Sequence, residues 1–354
     1  MQAILDLTLK DLESYLKKEG FAGFIAHQVF SWIYKKSIYD FDRMTDLPKE
    51  LRNFLKSNFY ILSLSLIKKQ VSSDGTQKFL FGLSDKQGIE SVIIPTSRRL
   101  TACISTQVGC RFACRFCASG AQGFKRNLKS GEIIEQVIYL KDTAGRRLNN
   151  LVFMGVGEPL DNYDNVLKAV RILNSSYGLN IGARKMTLST CGLIPGIQRL
   201  AEENLQIELS ISLHAGDNQI RSYLMPINKK YPLEKLLSAC RAYFKKTKRQ
   251  ITFEYVLIKG INADLKQAKR LTKLLAGLDA KVNLIPASPN KFGFTPLDKS
   301  TQQDKFHYLT GFTPPNKLEI LLFCDILLKA GIPATVRRPR GADIQAACGQ
   351  LRFV

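Results

Sequence analysis

Acidic residues, cysteines and long apolar runs are all scarce in this chain, and each shortage excludes something. Asp and Glu number 30 against 52 Lys and Arg, a formal charge of +22. Such an excess favours a polyanionic partner, nucleic acid first. Eight cysteines in 354 residues are too sparse for a disulfide scaffold. No apolar segment approaches the ~20 residues that span a bilayer. The start, Met1-Gln2-Ala3-Ile4-Leu5-Asp6, has no cationic region followed by an apolar run, so no signal peptide is expected. Together these make the cytoplasm the expected compartment, where thiols are free for metal or catalysis. The apolar share of 45% and charged share of 23% are those of an ordinary folded protein. The length predicts about two domains.

Residues 1–60 read as a small helical domain with possible RNA contact. Thr8 is a plausible cap ahead of Leu9 and Leu12. Phe24, Ile25, Val29, Phe30 and Ile33 suit a second helix, and Pro48 starts a third through Leu51 and Leu55. Over residues 61–100 the apolar period becomes two, giving a β extension. Its strands are Ile61–Leu66, Lys78–Phe81 and Ile89–Ile94, with Asp74-Gly75 as a turn. Glu90 shares a strand face with Val92 and Ile94. A carboxylate there is either at a strand edge in water or held for a purpose, and the residues alone favour the solvated edge.

From residue 101 to 354 strands and helices alternate. Strands are expected at 101–105, 151–154, 185–189, 207–212, 251–256 and 281–285, with helical patterns between them and a last helix at 318–330. Repeated βα units imply parallel strands with right-handed crossovers. The fold class is therefore α/β: six such units suit a partial or full (β/α) barrel, with the helical domain and β extension in front. Its chemistry should lie at the C-terminal ends of the strands.

Directly after the first of these strands come Cys110, Cys114 and Cys117, three cysteines within eight residues. A zinc site would want a fourth Cys or His at paired spacing. Three thiolates suit three corners of a [4Fe–4S] cluster, which needs four ligands, so one iron would be left open. Cys191, Cys240 and Cys324 read as core, since a lone cysteine is most often a small buried hydrophobe.

The C-x3-C-x2-C run with Phe116 before its last cysteine, and Gly155-Val156-Gly157-Glu158-Pro159 after the second strand, resemble the radical S-adenosylmethionine (SAM) superfamily. Ser105-Thr106-Gln107-Val108-Gly109-Cys110, Gln122 to Leu128, Ser212-Leu213-His214-Ala215, and above all Gly341-Ala342-Asp343-Ile344-Gln345-Ala346-Ala347-Cys348-Gly349-Gln350-Leu351 are similar to the RlmN/Cfr family of rRNA adenine methyltransferases. The resemblance covers nearly the whole chain.

That resemblance implies a partial (β/α)6 radical SAM barrel holding one [4Fe–4S] cluster on Cys110, Cys114 and Cys117, with SAM on the open iron and two SAM molecules per turnover. Cys348 corresponds to a cysteine that carries the methyl carbon, and Cys103 to the thiol that releases product. Glu90 matches a candidate proton acceptor, with Cys103 a rival for the role. Gly157, Glu158, Ser189, Ser212, Leu213 and His214 match SAM-contacting positions. One departure stands out. Where the family carries Asn after its Leu-Ile-Pro-x run, this chain has Ser288, with Asn290 two residues on. The implied partners are 23S rRNA, tRNA, and an electron-donor protein such as flavodoxin or ferredoxin. Two alternatives stay open: the C8-adenine branch of the same family, and a non-catalytic, metal-stabilised RNA-binding protein.

Overall fold

A computed structural model describes residues 1–97, 99–288 and 312–351. The first 60 residues are mostly helical. Strand β1 (Gln2–Ala3) is followed by α1 (Leu9–Lys18), α2 (Ile25–Phe30) and α3 (Lys49–Asn58), and β2 (Phe59–Tyr60) returns to pair with β1 in parallel. Helix α1 opens on a capping box. The Asp11 N–H donates to Thr8 Oγ1 (3.1 Å) and the Thr8 N–H to the Asp11 carboxylate (3.0 Å), satisfying two donors that a helix start leaves open. Leu12 and Leu16 on α1, and Leu51 and Leu55 on α3, are fully buried in the main core, as fourfold spacing places them on one face.

Three antiparallel strands follow: β3 (Ser65–Val71), β4 (Gln77–Gly82) and β5 (Gly88–Pro95). Strand β6 (Leu100–Cys103) is antiparallel to β5 and opens the βα series. A short ribbon, β7 (Gln107–Gly109) and β8 (Phe124–Asn127), brackets a one-turn helix α4 (Ala118–Ala121), and α5 (Ser130–Ala144) returns to β9 (Asn150–Phe153). The chain then runs α6 (Tyr163–Asn174), β10 (Met186–Thr190), α7 (Ile194–Glu202), β11 (Glu208–Ser212), α8 (Asn218–Leu224), α9 (Leu233–Thr247) and β12 (Ile251–Leu257). It ends α10 (Leu265–Leu275), β13 (Ala280–Pro286), α11 (Lys317–Lys329) and β14 (Ala334–Val336).

All the long strands join one ten-stranded sheet of order β14-β13-β12-β11-β10-β9-β6-β5-β4-β3. From β6 to β14 every neighbouring pair is parallel. The two end strands, β3 and β14, do not pair with each other, so the barrel is partial, as the sequence predicts.

Two expectations are corrected. The alternation at Ile61–Leu66 predicts a strand that begins only at Ser65. The backbone N–H groups of Ser63 and Leu64 instead donate to the Glu135 carboxylate on α5 (2.6 and 2.5 Å), and donors so used are lost to a ladder. Nor is Glu90 at a solvated edge. Strand β5 lies between β4 and β6, and Glu90 is 5% exposed. Its carboxylate is 3.0 Å from Lys78 Nζ on β4, the pairing that a buried charge requires.

Candidate active site

The cysteine loop is set by the β7–β8 ribbon. Gly109 ends β7 at φ +73°, and a Cβ there would fall 1.7 Å from the Gly123 carbonyl oxygen. Only glycine lets the two strands close at this point. The Cys110 N–H then donates to Gly123 O (3.1 Å), the Arg115 N–H to Leu224 O (2.9 Å) and the Cys117 N–H to Cys114 O (3.0 Å). This folds Cys110, Cys114 and Cys117 onto one wall of a cavity at the C-terminal ends of the parallel strands.

Burial pushes the Cys110 thiol up to about 12, with the charges of Cys117, Glu158 and Asp161 adding to it. Burial also pushes Cys114 upward, and Cys117 and Cys110 add. Three thiolates in one another's field, in a half-buried pocket, need positive charge among them, and a metal group supplies it. The donor set thus fits three corners of a [4Fe–4S] cluster. Among the described residues no three His, Cys, Asp or Glu side chains stand together as a single-ion site.

The facing walls come from the other strand ends. Gly157, Glu158, Ser189, Ser212 and His214 all line the same cavity. Gly157 has φ +106°, and a Cβ would lie 2.6 Å from that of Gln107. The buried Glu158 carboxylate accepts from the backbone N–H groups of Cys191 (2.7 Å) and Leu160 (3.0 Å). Burial raises its carboxyl above the ordinary range while these donors oppose the shift. His214 is 3% exposed, and its Nδ1 accepts from the Val256 N–H at 3.0 Å. Burial, aided by the Arg221 charge, pushes its imidazole down to about 3, so it is neutral near pH 7 and can accept at Nδ1. Leu213 is not a lining residue. It is buried in the core, its N–H donating to Glu254 O (3.0 Å) and its carbonyl accepting from Arg221 Nε (3.2 Å). Ser288 lines an adjoining cavity with Phe312, Arg337 and Cys348. Asn290 lies outside the described residues.

Cys348 lines both cavities. It is carried there by its neighbours: the Ala118 N–H donates to Gly349 O (2.7 Å) and Ser119 Oγ to Leu351 O (2.8 Å). The residue keeps exposed surface, while its sulfur is enclosed enough for burial to raise the thiol against the pull of Arg337. Arg337 Nη1 stands 4.0 Å from that sulfur. Cys103, 7% exposed, packs with Val92, Val156, Ala346 and Leu351. Burial and then the charge of Cys348 push its thiol up to about 12. Glu90 does not line the cysteine cavity. It lies on the neighbouring strand, where Val92 pairs with Cys103.

Four residues escaped the sequence reading. Glu254, buried within β12, lines the cysteine cavity and bonds Asn283 Nδ2 at 2.8 Å. Arg337, just after β14, sets its guanidinium against the Cys348 sulfur. Cys191 is buried as expected but also lines the cavity. Arg221, fully buried, gives its donors to the carbonyls of Cys191 (2.9 Å) and Ser212 (3.1 Å) behind the wall. The position of Cys191 just after a barrel strand was the one signal available for it.

Comparison with known proteins agrees with this geometry. Residues 104–271 match the model of the radical SAM superfamily, and residues 2–61 that of the ribosomal RNA large subunit methyltransferase N-terminal domain. A protein of Clostridium novyi named "Probable dual-specificity RNA methyltransferase RlmN" is 45% identical over 99% of this chain and 98% of its own length. A protein of the same name from Thermotoga neapolitana is 44% identical over 100% and 98%. A crystal structure of a radical SAM methyltransferase from Sphaerobacter thermophilus superposes with a TM-score of 0.90 at 44% identity, covering 99% of each chain. Radical SAM enzymes work with a [4Fe–4S] cluster and SAM. The chain belongs to the RlmN family of radical SAM RNA methyltransferases.

Proposed function

We propose that this enzyme converts adenine to 2-methyladenine in 23S rRNA and tRNA, in the cytoplasm, with Cys348 carrying the carbon. One observation carries the reading. Cys348 stands on the wall of the cavity that Cys110, Cys114 and Cys117 line, and Cys103 shares an apolar cluster with Ala346 and Leu351, which flank Cys348 in sequence. Adenine C2 is electrophilic and would not displace a methyl group from a sulfonium, so direct transfer is ruled out on chemical grounds.

When bound on Cys110, Cys114 and Cys117, the cluster and two SAM molecules supply a methyl group and a hydrogen-abstracting radical, with an electron from a flavodoxin or ferredoxin. Glu158 and Ser212 would hold the SAM amino and carboxylate groups, and neutral His214 adds no charge of its own to that wall. The Cys348 sulfur takes the methyl group. After losing one hydrogen atom, that carbon bonds to adenine C2 and makes a protein–RNA crosslink. The C2 proton leaves to Glu90, or to Cys103 once its thiol has been ionised, and the one electron lost with it would pass to the cluster held on Cys110, Cys114 and Cys117. Cys103 then bonds to the Cys348 sulfur. The sulfur–carbon bond breaks, its electron pair goes to the adenine side, and a proton completes the new methyl group. Burial keeps the Cys103 thiol protonated, so it attacks only once a base takes its proton.

Anaerobic turnover on an rRNA fragment carrying deuterium at adenine C2, followed by nucleoside mass spectrometry, tests this. The expected product is 2-methyladenosine without the label. An 8-methyl product that keeps it assigns the C8 chemistry instead, and protein that holds zinc and no iron removes the enzyme reading.

A further inference from the structure

We infer that the β3–β4 turn, with Lys78 beside it, is a clasp that positions Cys348 for transfer; this rests on the reading of Cys348 as the carbon carrier. The Asp343 carboxylate, five residues before Cys348, accepts from Ser72 Oγ (2.6 Å), the Ser73 N–H (3.0 Å) and Ser73 Oγ (3.3 Å). The Gly341 N–H donates to the Asp74 carboxylate at 3.0 Å, and Arg340 Nη1 lies 3.9 Å from it. Lys78 Nζ, already paired with Glu90, donates to Gln345 O at 3.3 Å. All of these join residues more than 260 positions apart.

The other end of the segment is held separately, by Ala118 and Ser119 on Gly349 and Leu351. Cys348 therefore hangs between two fixed ends. One end is the cysteine loop and the other is the clasp. The clasp stands on the β extension, whose outermost strand β3 leaves Leu66, Ile67 and Val71 exposed. That strand contributes little burial of its own on its outer side, while its turn holds the Cys348 segment at five polar contacts. Lys78 also makes one unit of the carboxylate and the segment, since a single ammonium touches both.

Loss of a positioning contact remote from the chemistry costs roughly tenfold to a hundredfold in rate. The test compares Asp343→Ala and the milder Ser72→Ala with the wild-type enzyme carrying its cluster. It measures 5′-deoxyadenosine released, adenine methylated, and hydrogen exchange of the 341–351 peptide. The clasp predicts iron content and deoxyadenosine release close to wild type, methylation per deoxyadenosine down roughly tenfold or more, and faster exchange in that peptide. A general loss of folding would lower both products together and leave their ratio alone. An unchanged ratio, or unchanged exchange, overturns the clasp. Failure of the underlying reading shows elsewhere: Cys348→Ala would then still methylate RNA, and exchange in Asp343→Ala would still judge the clasp by itself.

Discussion

Buried in its neutral form, His214 ties the stability of the pocket to pH. Its imidazole is pushed from an ordinary 6.5 down to about 3 by burial, with the Arg221 charge adding. The unfolded chain therefore binds a proton that the folded one refuses. The stability that neutral His214 contributes is fully present above about pH 6.5 and is lost as pH falls toward 3. In His214→Gln the fall in urea midpoint between pH 6.5 and 4 should be shallower than in wild type; an identical fall would mean another group sets it. Cys110, Cys114 and Cys117 were legible in the sequence because their spacing is local. Glu254 and Arg337 were not, because what places them at the site is strand register. Glu254 sits within β12, and Arg337 follows β14, its N–H donating to Leu284 O at 2.8 Å. Glu90 shows the same limit from the other side. Its alternation was visible, but only the order of the strands turns that face inward.

Among the elements, the β7–β8 ribbon has the least tolerance. Replacing Gly109 with Ala would drive a Cβ to 1.7 Å from a backbone oxygen and strain a residue at φ +73°. The strain alone costs about 1–3 kcal/mol, and the clash must also open the ribbon. We expect Gly109→Ala to lower the urea midpoint and to lose iron on purification. Gly123→Ala, also at positive φ but with no atom within 4 Å, should bear the strain and keep its iron. Equal iron loss in both would count against the close approach as the cause. Element boundaries were legible where hydrogen bonding followed the apolar pattern, as in α1 with its Thr8 cap. They slipped at residues 61–64, where a side chain on a distant helix takes the backbone donors. No local pattern encodes Glu135 as the acceptor for Ser63 and Leu64.

The whole molecule carries +22, and part of its basic surface is already engaged. Arg126 meets Asp85 at 2.7 Å and Glu132 at 2.8 Å, Arg199 meets Asp164 at 2.7 Å, and Arg249 pairs with Glu208. The remaining excess still favours a polyanion. Affinity for an rRNA fragment should fall linearly with log salt, by about 0.7 log unit per phosphate contacted on a single strand. Fluorescence anisotropy across a potassium chloride series reads that slope, and a flat line would separate the charge from RNA binding. At this scale the fold was the most legible feature: repeated βα units implied the parallel series, and the structure orders it from β6 to β14. The closing of the C-terminal segment onto both the β extension and the cysteine loop was invisible, because it joins residues far apart in sequence, such as Ser72 with Asp343 and Ser119 with Leu351.

The central claim is that the transferred carbon rides on Cys348 and is released by Cys103. The most direct measurement is peptide and nucleotide mass spectrometry of Cys103→Ala protein after anaerobic turnover with RNA and denaturation. We predict a covalent species in which the Cys348 sulfur is joined through one carbon to an adenine. Free RNA alongside a Cys348 peptide that has never carried that carbon would contradict it.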